Sequence, residues 1–243
     1  MTIVAIHQPN FFPWLGYFEK IAKSDVFIFL DNVQFQKTGG TWSNRVMLLE
    51  GSCAKWVTAP VNRKFHGVRN INEIEFQSPA TWRTNLMAAL TRNYKAAPHF
   101  DDTMDLIAPL VSNPDDRLST YNGYAVMTIA KLLGIPADRF KWSSDLHVAG
   151  QSNELLIGLT KAVGGNIYMC GGGASGYQDE ALFNFSGVRL THQNFAAVPY
   201  PQNGMKNFAS GLSIVDALMN IGISGVSQLL RNHGHLQKLV LAL

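Results

Sequence analysis

An apolar run, Ile3 to Ile6, opens the chain and stops at a polar corner, His7-Gln8-Pro9. A loop rich in proline and aromatic residues follows. From Trp14 the period changes: Trp14, Phe18, Ile21 and Ala22 fall on one face at helical spacing. Asp25 to Asp31 then reads as a second buried strand. Strand, loop, helix and strand in direct succession predict a βαβ unit, and open α/β sheets bind ligands at the carboxyl ends of such strands. If the two strands are parallel, His7 and Gln8 share one sheet edge with Asp31 and Asn32.

Further along, Trp42–Leu49 and Lys55–Val61 predict two strands joined through Glu50-Gly51-Ser52, a hairpin. Asn62 to Asn70, basic and glycine-containing, predicts a loop, and the alternation of Ile71 to Phe76 predicts a strand. Ser78-Pro79 signals a helix start, with Trp82, Leu86, Ala89 and Leu90 facing inward as far as Tyr94. Met104–Leu110 and Leu118–Leu133 are further helices, the second closed by Gly134-Ile135-Pro136. Arg139–Ser143 returns to strand, Ser152 to Val163 is a helix stopped by Gly164-Gly165, and Asn166–Cys170 is a buried strand. A short helix over Asp179–Phe185, a strand over Val188–Gln193, and helices over Leu212–Ile221 and Val226–Leu243 complete the chain. The alternation predicts an α/β fold: a three-layer, mostly parallel Rossmann-like sheet with an inserted β-hairpin and helical region and C-terminal helices, all in one domain over residues 1–243.

Composition narrows the classes. At 47% apolar and 15% charged, the 243 residues can bury a large core, which excludes a disordered chain. A net charge of +3 without a long Lys/Arg run suits anionic small molecules and gives no nucleic-acid footprint. No stretch approaches the ~20 apolar residues of a spanning helix, so no membrane insertion is expected. The amino terminus lacks the basic region and long apolar run of a signal peptide, and a cytoplasmic location is expected. Cys53 and Cys170, the two cysteines, provide neither a disulfide framework nor a thiolate-only zinc site, so no metal site is assigned and the cofactor is left open.

The candidate chemistry lies at strand ends. His7 is the candidate general base, because its unperturbed pKa lies near working pH, with Gln8, Asn10 and Trp14 beside it as ligand contacts. The alternative for His7 is a hydrogen bond to a backbone group at the strand end. Asp31 is the second catalytic candidate, orienting His7 or an attacking amine. Gln34, Lys37, Asn44 and Arg45 after it can hold a polar or anionic group, or form a solvated edge. The turn Gly171-Gly172-Gly173, running on to Tyr177, can present bare peptide N–H groups to a ligand, or be only a tight strand–helix turn. It matches neither the phosphate-binding P-loop nor the dinucleotide fingerprint. Cys170 beside it reads as a core residue or as a nucleophile. Gln193 ends the last strand, Gln202 follows it, and the two complete the set of candidate ligand contacts.

The chain resembles the WbqC-like family, bacterial proteins associated with O-antigen and other surface-polysaccharide gene sets. The resemblance runs over almost the full length. It is carried by Ile6-His7-Gln8-Pro9 with Pro13-Trp14 and Gly16-Tyr17, by Asp31 with Val33-Gln34-Phe35, by Trp42-Asn44-Arg45, by Trp142-Ser143-Ser144-Asp145-Leu146, by Tyr200-Pro201-Gln202 and by Leu212-Ser213-Ile214-Asp216. It implies a transferase that moves an acyl or aminoacyl group, glycyl being the proposed case, to an amino sugar or sugar nucleotide. The expected partners are then a nucleotide-linked sugar and an activated acyl donor. Two other readings stay open: a non-catalytic protein that binds a sugar nucleotide or carrier, and a nucleotidylyltransferase-like enzyme, whose helix-start histidine motif has here only Pro13-Trp14-Leu15-Gly16-Tyr17 in its place.

Overall fold

The structure is a computed structural model that describes residues 1–38, 41–172 and 178–240, with side chains described as far as residue 231. Its centre is a five-stranded sheet, in which β1 (Ile3–His7) pairs with β2 (Val26–Phe29) on one side and β6 (Ile167–Cys170) on the other. β5 (Phe140–Trp142) lies outside β2 and β7 (Arg189–His192) outside β6, giving the order β5-β2-β1-β6-β7 with every neighbour parallel. The three central strands β1, β2 and β6 are apolar on both faces because both are covered, while the edge strands β5 and β7 carry exposed polar residues. Ala5, Phe27, Phe29 and Met169 enter one core with α1 (Leu15–Lys23), α4 (Leu118–Leu132) and α7 (Ile214–Val240). Val4, Ile6, Ile28, Tyr168 and Cys170 enter a second core with α5 (Ser152–Ala162) and α6 (Glu180–Phe185). These are the three layers that the alternating pattern predicts.

The segment between β2 and β5 carries the inserted pieces. β3 (Arg45–Glu50) and β4 (Cys53–Thr58) form a separate antiparallel hairpin, followed by α2 (Pro79–Tyr94), α3 (Phe100–Val111) and α4. The expected strand over Ile71–Phe76 is instead a 3-10 turn over Ile71–Glu73. Asn70 and Glu73 form a reciprocal capping box there, and this local polar closure overrides the alternating pattern. α3 begins at Phe100, earlier than expected, and holds Pro109 inside it. Ser78 and Ser152, at the starts of α2 and α5, both adopt positive φ, 49° and 48°, and neither caps its helix through its side chain. α7 is broken at Gly222, between the two helices expected over Leu212–Ile221 and Val226–Leu243. Gly222 has φ 66° and ψ 177°, and a Cβ there would lie 2.9 Å from the His99 ring, so glycine is needed both for conformation and for approach. Among the described residues no helix is long and apolar enough to cross a membrane.

Candidate active site at the strand-order reversal

Numbered in chain order within the sheet, the strands run 3-2-1-4-5, so the winding direction reverses between β1 and β6. In doubly wound sheets the crevice outside the carboxyl ends at such a point is the ligand site. The register Ile3↔Ile167, Val4↔Tyr168, Ala5↔Met169 brings the ends of these two strands level. His7 and Gly171 therefore lie side by side at the carboxyl edge of the sheet.

His7 sits in an aromatic setting, edge-on to Tyr17 at 4.8 Å and to Trp14 at 5.9 Å between ring centroids. Its Nδ1 lies 3.1 Å from the Gln8 carbonyl oxygen. A carbonyl only accepts, so Nδ1 carries the proton of the neutral ring and Nε2 holds a lone pair. Burial, with the Lys20 charge adding to it, lowers the His7 pKa to about 3, against which the Gln8 hydrogen bond works. The ring is neutral at physiological pH. The Tyr17 hydroxyl donates to the same Gln8 carbonyl at 2.9 Å, which fixes the corner from the helix side.

Lys20 stands beneath the corner. It is 3% exposed and donates to the Ile6 carbonyl at 3.0 Å, and among the described residues no carboxylate pairs with it. Burial lowers its pKa to about 8, while the nearby Cys170 opposes the shift. Cys170 is fully buried, and its Sγ lies 3.1 Å from Nδ1 of the exposed His192. The strand register Cys170↔His192 creates that pair. Burial raises the Cys170 pKa more than Lys20 lowers it, so it rests as a thiol. Among the described residues a Cβ at Gly171 would meet nothing within 4 Å, so there is space beside the end of β6. Gly173 and Tyr177 lie outside the described residues, as do Gly39 and Gly40.

From His7 an aromatic run leads outward. Trp14 meets Trp42 at 4.9 Å, Trp42 meets Trp56 at 4.8 Å, and the Arg45 guanidinium covers Trp56 at 4.1 Å. Asn44 donates to the Ala59 carbonyl at 2.9 Å, while its Oδ1, the Arg45 Nε and the Asn10 Nδ2 are buried without a partner among the described residues. Gln34 and Lys37 are exposed and belong to a neighbouring basic loop. Lys37 donates to the Phe65 carbonyl at 2.5 Å and lies over the Phe65 ring, and Gln34 bridges to Asn70.

Asp31 takes a different place from the one expected. Its Oδ1 accepts from the Ser143 hydroxyl at 2.9 Å and the Ser144 N–H at 3.0 Å, and its Oδ2 from the Ser144 hydroxyl at 2.9 Å. The carboxylate is thus held toward β5 and has no hydrogen bond to His7. It lines a separate cavity of about 480 Å³ with Trp142, Ser144 and Asp145. Gln193 and Gln202 are tied into the protein. The Gln193 amide donates to the Gly16 carbonyl and to the buried Glu19 carboxylate, holding α1 to the end of β7. The Gln202 amide donates to Ala209 and to Asp216, within a buried network on α7. Sequence reasoning singles out neither Lys20 nor the Cys170–His192 contact. Lys20 reads as one more cation on an amphipathic helix, and the Cys–His pair exists only once β6 and β7 are in register.

The model of the WbqC-like protein family matches residues 8–228. The uncharacterized protein Rv1507c of Mycobacterium tuberculosis is 32% identical over 223 residues, which cover 91% of this chain and 95% of that protein. No solved structure matches the chain.

Proposed function

The chain belongs to the WbqC-like protein family, and from that premise we propose that it is a transferase. It moves an acyl or aminoacyl group, such as glycyl, from an activated donor to an amino sugar or sugar nucleotide in bacterial surface-polysaccharide biosynthesis. The observation that supports the reading is the meeting of His7 and Gly171 at the strand-order reversal, above a buried ammonium. His7 Nε2 takes the proton of the attacking amine as nitrogen bonds to the acyl carbon. Peptide N–H groups of the glycine turn receive the negative charge that develops on the carbonyl oxygen. The leaving group departs with its bonding pair, and the proton passes from His7 to solvent. Lys20 supplies positive potential throughout. Gln8, Asn10, Trp14, Asn44 and Arg45 are the proposed contacts along the rest of the ligand.

The second reading is a binding protein without turnover. The feature that favours it is the weak basicity of His7, whose pKa is lowered to about 3. Mass spectrometry of the protein incubated with amino-sugar nucleotides and activated glycine separates the two. The transferase reading expects a glycyl mass gain on the sugar, lost in His7→Gln with thermal melting nearly unchanged. Ligand binding with no mass gain in any mixture favours the binding protein. Full activity per folded molecule in His7→Gln ends the assignment of the base.

A further inference from the structure

The cavity beside Asp31 is built differently from the crevice at His7. Its floor is rigid. Asp31 and Ser144 hold one another, the Thr120 hydroxyl is held by Asp115, and the Trp142 indole packs at a tilt on Phe29, 4.7 Å between ring centroids. A Cβ on Gly123 would lie 2.3 Å from the Trp142 ring, so the indole is pressed against α4 as well. Around this floor stand four polar side chains with no hydrogen bond or ion pair to any described residue: the Asn72 amide, the Arg117 guanidinium, the Ser119 hydroxyl and the Asp145 carboxylate. Ser119 is the most enclosed of the four: it is 1% exposed and lines the cavity. It stands in the first turn of α4, where peptide N–H groups also lack intrahelical partners.

We propose that this cavity is a subsite for a sugar ring, which it grips through vicinal hydroxyls against Ser119, Asn72, Arg117 and Asp145, with the ring's carbon face toward Trp142. Each alternative leaves something unmatched. A phosphate alone would face the carboxylates of Asp31 and Asp145, and an apolar group would strand all four uncommitted side chains. An ammonium alone would leave Arg117 facing a like charge. A sugar hydroxyl donates and accepts at once, so a pair of them answers a carboxylate and a guanidinium together. A cavity of about 480 Å³ falls within the size range of ligand pockets. It also opens at the carboxyl ends of β2 and β5, on the edge of the sheet that carries His7. In doubly wound sheets an acidic residue beyond the second strand faces a ribose.

The ring can belong to the ribose of a nucleotide or to a hexosamine, and its role as part of a substrate rests on the transferase reading. Calorimetry on the full chain tests it with four ribonucleoside 5′-monophosphates, their 2′-deoxy counterparts, glucosamine and orthophosphate as probes. We expect a sugar-bearing probe to bind, and Ser119→Ala and Asp145→Asn each to weaken it about tenfold with melting unchanged. A roughly tenfold loss on removing the 2′-hydroxyl assigns the ribose, and binding of glucosamine in competition assigns the amino sugar. Failure of every sugar-bearing probe to bind, or equal affinity in both variants, overturns the proposal. Sugar binding that persists in His7→Gln while no mixture yields product leaves the subsite standing and ends the transferase reading. Product formation indifferent to Ser119→Ala and Asp145→Asn does the reverse.

Discussion

Two groups at the crevice resist protonation in the folded chain, and each leaves its own mark on stability. His7 is lowered from 6.5 to about 3, so between those values the unfolded chain binds a proton that the native ring refuses. Stability then falls as pH drops from about 6.5 toward 3. Lys20 is lowered from 10.5 to about 8, so between about 8 and 10.5 the unfolded chain holds a proton that the native ammonium has released, and stability rises with pH across that window. Melting curves of His7→Gln should therefore lose part of the acid-side slope, and those of Lys20→Met part of the alkaline rise. Unchanged slopes in both variants would mean that neither side chain is as buried as described. None of this is legible from residue type. His7 is marked by its place at the end of an apolar run, but its tautomer depends on the Gln8 carbonyl, and the burial of Lys20 depends on two strand ends and a helix meeting above it.

Element existence is far more legible than element detail, for physical reasons. The three central strands of the sheet are short apolar runs because both faces of a parallel sheet are covered there, and such runs stand out against their polar flanks. Ile71–Phe76 misleads because a capped 3-10 turn also alternates apolar and polar positions. The Asp31–Ser144 pairing joins residues 113 positions apart, and no local pattern reports it. Packing between elements yields a further test on α4. Replacing an exposed mid-helix glycine by alanine favours the helix by roughly 1 kcal/mol. Gly123 is buried against the Trp142 ring, where a Cβ would sit at 2.3 Å. Gly123→Ala should instead destabilise the protein by about 1–3 kcal/mol and shift its tryptophan fluorescence, since the indole has to move. A more stable variant with unchanged emission would contradict the close packing of α4 on β5.

The largest organising feature outside the sheet is the buried carboxylate of Asp216. It is fully buried and accepts from Tyr94 at 3.0 Å, Tyr200 at 2.7 Å and Gln202 at 2.9 Å. The Tyr94 hydroxyl in turn accepts from the Leu49 N–H at 3.1 Å, so one group links α7, α2, the hairpin and the 200–209 loop. Burial raises the Asp216 pKa and the three hydrogen bonds hold it down, which makes the partners as costly to strand as the charge itself. Asp216→Ala should cost about 3–5 kcal/mol, a fall of roughly 6–20 °C in melting temperature for a chain of this size. A loss below about 1 kcal/mol would show the network to be dispensable. The pairing of β1 with β6 bears on how the protein is made. Thr2 and Asn166 are hydrogen-bonded although 164 positions separate them, and the crevice lies just beyond their strands. During translation, His7 leaves the ribosome long before the glycines it faces have been added. A nascent chain released before β6 emerges carries half of a pocket and an open strand edge in want of a neighbour, the kind of surface that chaperones hold.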